Sequence, residues 1–148
     1  MSIIYKPQKE MELFAPFGPT MGYFRMPYEL VEKLNSKMSD KLKSYADNLV
    51  GKVSEELAFD EEILAIAQKG LGQFIGNYQA YSDFRNSMGV KKPDTENFDY
   101  GLQIVSGWFV RQFENEYNPL HIHTGSRLSC VGYLKLPEGI EEEWEEDY

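Results

Sequence analysis

This chain has very few of the residues from which proteins build disulfide frameworks or multi-ligand metal clusters. In 148 residues there is one cysteine, Cys130, and there are two histidines, His121 and His123. A single cysteine excludes an intrachain disulfide, so the fold must rest on hydrophobic burial, which a chain of this length can supply. Cys130 is expected to be buried as a small hydrophobe. With Ser129 it falls on an expected strand that offers no base-orienting partner, so nucleophilic catalysis has no support. No apolar run approaches the ~18 residues of a membrane span. The start, Met1-Ser2-Ile3-Ile4-Tyr5-Lys6-Pro7, lacks the apolar core of a signal peptide. These absences lead to the expectation of a cytoplasmic protein with no membrane partner.

Basic residues are also scarce: 15 Lys and Arg stand against 24 Asp and Glu, a net charge of −9. Seven of the acids, from Glu138 to Asp147, crowd into the last eleven residues and leave only −2 over residues 1 to 137. No basic stripe is left to neutralise phosphates, which argues against a nucleic-acid partner. Aromatic residues, at 14%, are too many for a disordered chain. The expectation is one packed domain over 1–148 with an acidic tail over 138–148.

Two short apolar stretches, Met11 to Phe14 and Met21 to Arg25, flank Pro16, Gly18 and Pro19 and predict strand, turn, strand. Leu30, Leu34, Met38, Leu42, Tyr45 and Leu49 then recur every three or four residues, predicting one long helix from Pro27 to Gly51. A second helix should start at Asp60, a residue suited to accept free amide hydrogens, with Ile63, Ile66, Leu71, Phe74, Tyr78 and Tyr81 on its core face. Gly70, Gly72 and Gly76 on that helix imply either close packing against a neighbour or simply an imperfect helix. Residues 87–97 read as a loop. Leu102 to Phe113 is rich in β-branched and aromatic residues and predicts a full strand. A polar turn at Glu114 to Glu116, a histidine strand and a strand from Leu128 to Leu136 would complete an antiparallel meander. Helices first and strands afterwards give an α+β class, with two long helices packed on an antiparallel sheet.

Both histidines fall in Tyr117-Asn118-Pro119-Leu120-His121-Ile122-His123-Thr124-Gly125. In an extended chain, side chains two apart leave the same face, so His121 and His123 would point together and Leu120 and Ile122 away. Two imidazoles so placed can hold one divalent metal. The plainer alternative is a pair of hydrogen-bonded surface residues, since H-x-H alone is a short pattern.

Taken together, Gly107-Trp108, the N-P-x-H-x-H run from Asn118 to His123, and the S-x-x-x-Y-L-x-x-P run from Ser129 to Pro137 resemble a family of 2-oxoglutarate- and iron(II)-dependent oxygenases of marine bacterial viruses. The resemblance covers residues 100 to 137. It implies a double-stranded β-helix, or jelly roll, with helices outside it, and an iron(II) site with 2-oxoglutarate as cosubstrate acting on a small-molecule or protein substrate. His121 would be the first metal ligand. His123 stands where related oxygenases carry a carboxylate. Tyr133, with Asn118 and Ser129, would contact the cosubstrate. The family continues into strands bearing a distal histidine and an arginine for the 2-oxoglutarate carboxylate, whereas here no histidine follows His123 and no arginine follows Arg127. The expectation is therefore an oxygenase-like domain that lacks its C-terminal strands and is inactive or incomplete as this chain. An open sheet edge through which a second copy could pair goes with it.

Two rivals remain. A cupin-like metal barrel would place a glutamate four or five residues after H-x-H, but Arg127 and Leu128 stand there. A non-enzymatic assembly or interaction domain would need only the surface and the acidic tail. The tail could offer oxygen donors to a metal, although a run of like charge is ordinarily solvated.

Overall fold

The structure, a computed structural model, describes residues 12–14, 20–86 and 102–140. The loop expected over 87–97 and the acidic run from Glu141 onward lie outside them. Within them the chain is mixed α and β: two helices and two small antiparallel strand pairs. β1 (Glu12–Phe14) pairs with β2 (Met21–Tyr23), as the Gly and Pro punctuation predicts.

The first helix is much shorter than its apolar stripe. α1 spans Tyr28–Asn35, and the chain leaves it where polar side chains compete for the backbone. The Ser36 hydroxyl donates to the Lys33 carbonyl at 2.7 Å, and the Asn35 amide reaches the Leu134 carbonyl at 3.0 Å. Downstream, Ser39 and Ser44 each accept a backbone N–H two residues on, fixing turns instead of a helix. Met38 and Leu42 still pack on the core from this irregular backbone, while Tyr45 precedes a short 3₁₀ turn, Ala46–Asn48.

The second helix follows the expectation closely. α2 spans Glu61–Asn86, and the Asp60 carboxylate accepts the Ile63 N–H at 2.9 Å. Ile63 is buried, Phe74 stacks on Phe24, and the Tyr78 hydroxyl donates to the Thr20 carbonyl. At Gly70 the close-packing alternative holds, because a Cβ there would stand 2.5 Å from Leu30 Cδ1. At Gly72 it does not: nothing lies nearer than 3.6 Å.

β3 (Glu55–Ala58), unpredicted, forms the longer of the two strand pairs. It pairs antiparallel with β4 (Trp108–Arg111) on one side and bridges Ser44 on the other through Leu57. Leu57 and Phe109 turn toward α1 and α2 and close a core with Leu30, Leu34 and Ile63. Glu55 and Arg111 end the ladder as an ion pair at 2.8 Å, near in distance but poorly aligned as a hydrogen bond.

The expected three-stranded meander is not formed by the described residues. Of the strand expected over 102–113, only β4 is regular. Residues 102 and 104 bond instead to the Gln68 side chain on α2, whose amide donates to the Leu102 carbonyl and accepts the Ile104 N–H at 2.7 Å. The histidine segment and residues 128–136 carry no strand; a bridge between Lys52 and Tyr117 is the one ladder contact there.

Candidate metal centre at the histidine pair

The segment is seated first by one carboxylate. After β4 the chain turns at Glu114-Asn115, where Asn115 takes φ 62°, and returns beside residues 52–54. The Glu116 carboxylate fills the gap in the ladder by accepting the Ser54 hydroxyl, the Ser54 N–H and the Phe113 N–H. Those donors, the Ser54 hydroxyl foremost and then the Phe113 amide, hold its carboxyl below the usual carboxylate range. One residue on, Lys52 and Tyr117 exchange backbone hydrogen bonds at 2.8 and 3.2 Å. Asn118 then lies against Gly51 so closely that a Cβ there would meet its Oδ1 at 1.9 Å. Asn118, expected to touch a cosubstrate, thus helps seat the segment.

Beyond this anchor the two imidazoles meet. His121 Nδ1 lies 2.7 Å from the Pro119 carbonyl oxygen. A carbonyl can only accept, so in the neutral ring Nδ1 carries the proton and Nε2 keeps its lone pair. That Nε2 is 3.2 Å from His123 Nε2, with the rings edge to face at 76°. The rings come together as the alternation predicts, although the backbone carrying them pairs with no strand.

The distance admits two chemistries. His123 Nε2–H can donate to the lone pair of His121. Alternatively, both lone pairs can face one ion: with metal–nitrogen bonds of about 2.05 Å, an Nε2 to Nε2 distance of 3.2 Å corresponds to an angle at the metal of about 100°. That value lies between the right angle of octahedral and the wider angle of tetrahedral coordination. A backbone carbonyl on the far nitrogen of a ligating histidine is also the usual means of fixing tautomer and ring orientation.

His123 is backed by Trp108 at 5.9 Å between ring centroids, and Trp108 stacks on Tyr45 at 4.9 Å. A row of rings thus ties the pair to β4 and to the strand edge beyond β3. In the sequence Trp108 stands out only as part of a motif, and Tyr45 as part of a helix stripe. What singles them out is register, because Trp108 faces the same side of β4 as Val110, opposite the core residue Phe109.

The remaining expected site residues do not join the pair. Tyr133 is 75% exposed and Ser129 is exposed. Among the described residues no hydrogen bond or ring contact links either to the histidines. Cys130, expected to be buried, is exposed. Its segment is held where Gly132 passes Met26, just ahead of α1, and where Leu134 enters the core; the residue is exposed there, although packing around the thiol pushes it up from its usual range. Among the described residues no group of three or more His, Cys, Asp or Glu side chains gathers as a metal site. The donor set that converges is two imidazole nitrogens, which do not by themselves make the His-His-carboxylate triad of non-haem iron.

Sequence reasoning also missed Glu56, the one charged side chain buried among the described residues, whose Oε1 has no hydrogen-bond partner. Burial first, and the nearby Glu116 second, push its carboxyl above the usual range. It shares the sheet face of Trp108 and Val110.

No family model, curated protein or solved structure matches this chain. Among the described residues, no helix is long and apolar enough to cross a membrane.

Proposed function

We propose that this chain is an oxygenase-like domain in which His121 and His123 bind one divalent metal ion, and which has no turnover by itself. The observation that carries the reading is the convergence of the two Nε2 atoms at 3.2 Å, with His121 oriented by the Pro119 carbonyl. Support for the oxygenase ancestry is the order of parts: a tryptophan strand, a polar turn, then the histidine pair packed back on that tryptophan. On this reading β3 and β4 belong to one face of a double-stranded β-helix. Iron(II) with 2-oxoglutarate would supply oxidative chemistry in such a site. Two imidazoles provide two of the three protein ligands that it needs, so no oxidative step is assigned to these residues.

The test is a titration with zinc(II) and with iron(II), each with and without 2-oxoglutarate, on the wild type and on His121→Ala. Metal should shift or broaden the imidazole resonances of the wild type and act on the variant's remaining ring only at concentrations about tenfold higher or more. Added 2-oxoglutarate should leave the affinity unchanged. Silence of both rings toward both metals overturns metal binding, and a 2-oxoglutarate-tightened iron complex overturns the absence of turnover.

A second reading, an assembly surface, is favoured by one specific observation. Leu120 is fully exposed, Ile122 is 83% exposed and Val131 is 82% exposed, more bare apolar side chain than one short segment ordinarily shows. Among the described residues, the edge of β4 away from β3 pairs with no strand. An open edge of this kind is a template for pairing with another chain, including a second copy.

A further inference from the structure

We infer that the histidine pair selects late first-row divalent ions, copper(II) foremost and then nickel(II) and zinc(II), over iron(II) and manganese(II). The inference rests on the metal-binding reading above and names the ion for that same site.

The donors decide it. Both converging atoms are imidazole nitrogens, and one of them is held as a free lone pair by the Pro119 carbonyl on the opposite side of its ring. Imidazole is a borderline donor that suits copper, nickel and zinc, whereas manganese prefers carboxylate, carbonyl and water oxygens. The order of affinity for any nitrogen site rises from manganese through iron to copper and falls at zinc. A protein ordinarily overrides that order by adding a carboxylate and a fixed geometry. Here the pair is solvent-facing, with both residues exposed, so water can complete the sphere in whatever number the ion prefers. A two-point site that leaves its other positions to water exerts little geometric control, and the intrinsic order then prevails. The angle of about 100° that the pair would subtend is open to square-planar, octahedral and tetrahedral ions with small ring rotations.

His121 and His123 are the chain's entire histidine content, so every imidazole signal reports this site. The experiment titrates the full chain with copper(II), nickel(II), zinc(II), anaerobic iron(II) and manganese(II) in turn, following heat and the imidazole resonances. It is repeated on His121→Ala, His123→Ala and the double variant. All three keep the acidic tail, and the exposed positions leave the fold, checked by circular dichroism, undisturbed. Copper(II) should bind on the order of 100-fold more tightly than manganese(II). Each single substitution should weaken copper(II) by about tenfold or more, and the double variant should retain only the weak binding of the tail carboxylates. Iron(II) binding as tightly as copper(II), or copper(II) affinity unchanged in the double variant, overturns the selectivity. Neither of those results touches the metal-binding reading, which silence of both rings toward zinc(II) and iron(II) alike would overturn.

Discussion

The helical half of this molecule and the segment from 112 to 140 both carry large apolar side chains and dispose of them in opposite ways. Leu30, Leu34 and Ile63 are buried against Phe109, while Phe113, Tyr117, Leu120, Ile122, Val131 and Tyr133 stand at the surface. The helices bury theirs because a repeat of 3.6 residues gathers apolar positions on one continuous face, which two packed helices and a strand can close over. The later segment has no such face. It is attached at separate points: the Glu116 carboxylate, the Lys52–Tyr117 bridge, Gly132 over Met26 and the Asn35 amide on Leu134. Stability and the candidate chemistry therefore reside in different parts of the chain.

The sharpest test removes a side chain from the packed half. Ile63 is 1% exposed and sits in the first turn of α2, packed with residues of α1 and β4. Ile63→Ala deletes three buried carbons and leaves a cavity, and should cost about 2–5 kcal/mol in urea or thermal unfolding. A loss under about 1 kcal/mol, the scale of an ordinary surface change, would mean that the core is not organised around this helix.

A smaller effect is expected where the two regions meet. Glu56 on β3 and Glu116 on the returning chain are carboxylates of like charge, shifted in opposite directions. Glu116 has a folded pKa below its unfolded one, so its contribution is present above the ordinary carboxylate range and is lost as pH falls through the lowered value. Glu56 has a raised folded pKa, so its contribution is present in acid and is lost as pH rises through the raised value. Glu56→Gln removes the second effect. The variant should be more stable than the wild type near neutral pH, by on the order of 1 kcal/mol, and the two unfolding curves should converge in acid. Equal stability at both pH values would mean that Glu56 finds a partner in solution.

How far the sequence reveals this arrangement depends on which interactions set each part. α2 is legible in full because its start signal, Asp60, and its stripe are local. α1 is legible, but where it ends is not. Its stripe runs on through Met38 and Leu42, but Asn35, Ser36, Ser39 and Ser44 turn the backbone by side-chain bonds that a hydrophobic pattern does not register. β3 is invisible to propensity. Glu55 and Glu56 are poor strand formers, and the segment is a strand because Leu57 and Phe109 need each other across it. At the site, the alternation that pairs His121 with His123 survives, since rings two residues apart meet without a ladder to hold them. The roles expected for Tyr133 and Ser129 depended on a neighbouring strand over 128–136. No hydrogen-bonding partner strand is present for it among the described residues.

The smallest expected change in stability also bears on the exposed segment's purpose. Leu120 and Ile122 flank His121 and are among the most exposed apolar side chains described. Serine at both positions removes no buried contact, so unfolding should shift by no more than about 0.5 kcal/mol. Neither side chain supplies a metal donor, so zinc(II) binding should stay as in the wild type. Oligomeric state is where an assembly surface would register. If a second copy docks on this side, the wild type should sediment as a dimer at concentrations where Leu120→Ser/Ile122→Ser is a monomer. Identical sedimentation of the two would remove the assembly reading and leave the segment as a carrier for the histidines. A stability loss comparable to that of Ile63→Ala would break the contrast itself, because it would show that these side chains are covered in solution.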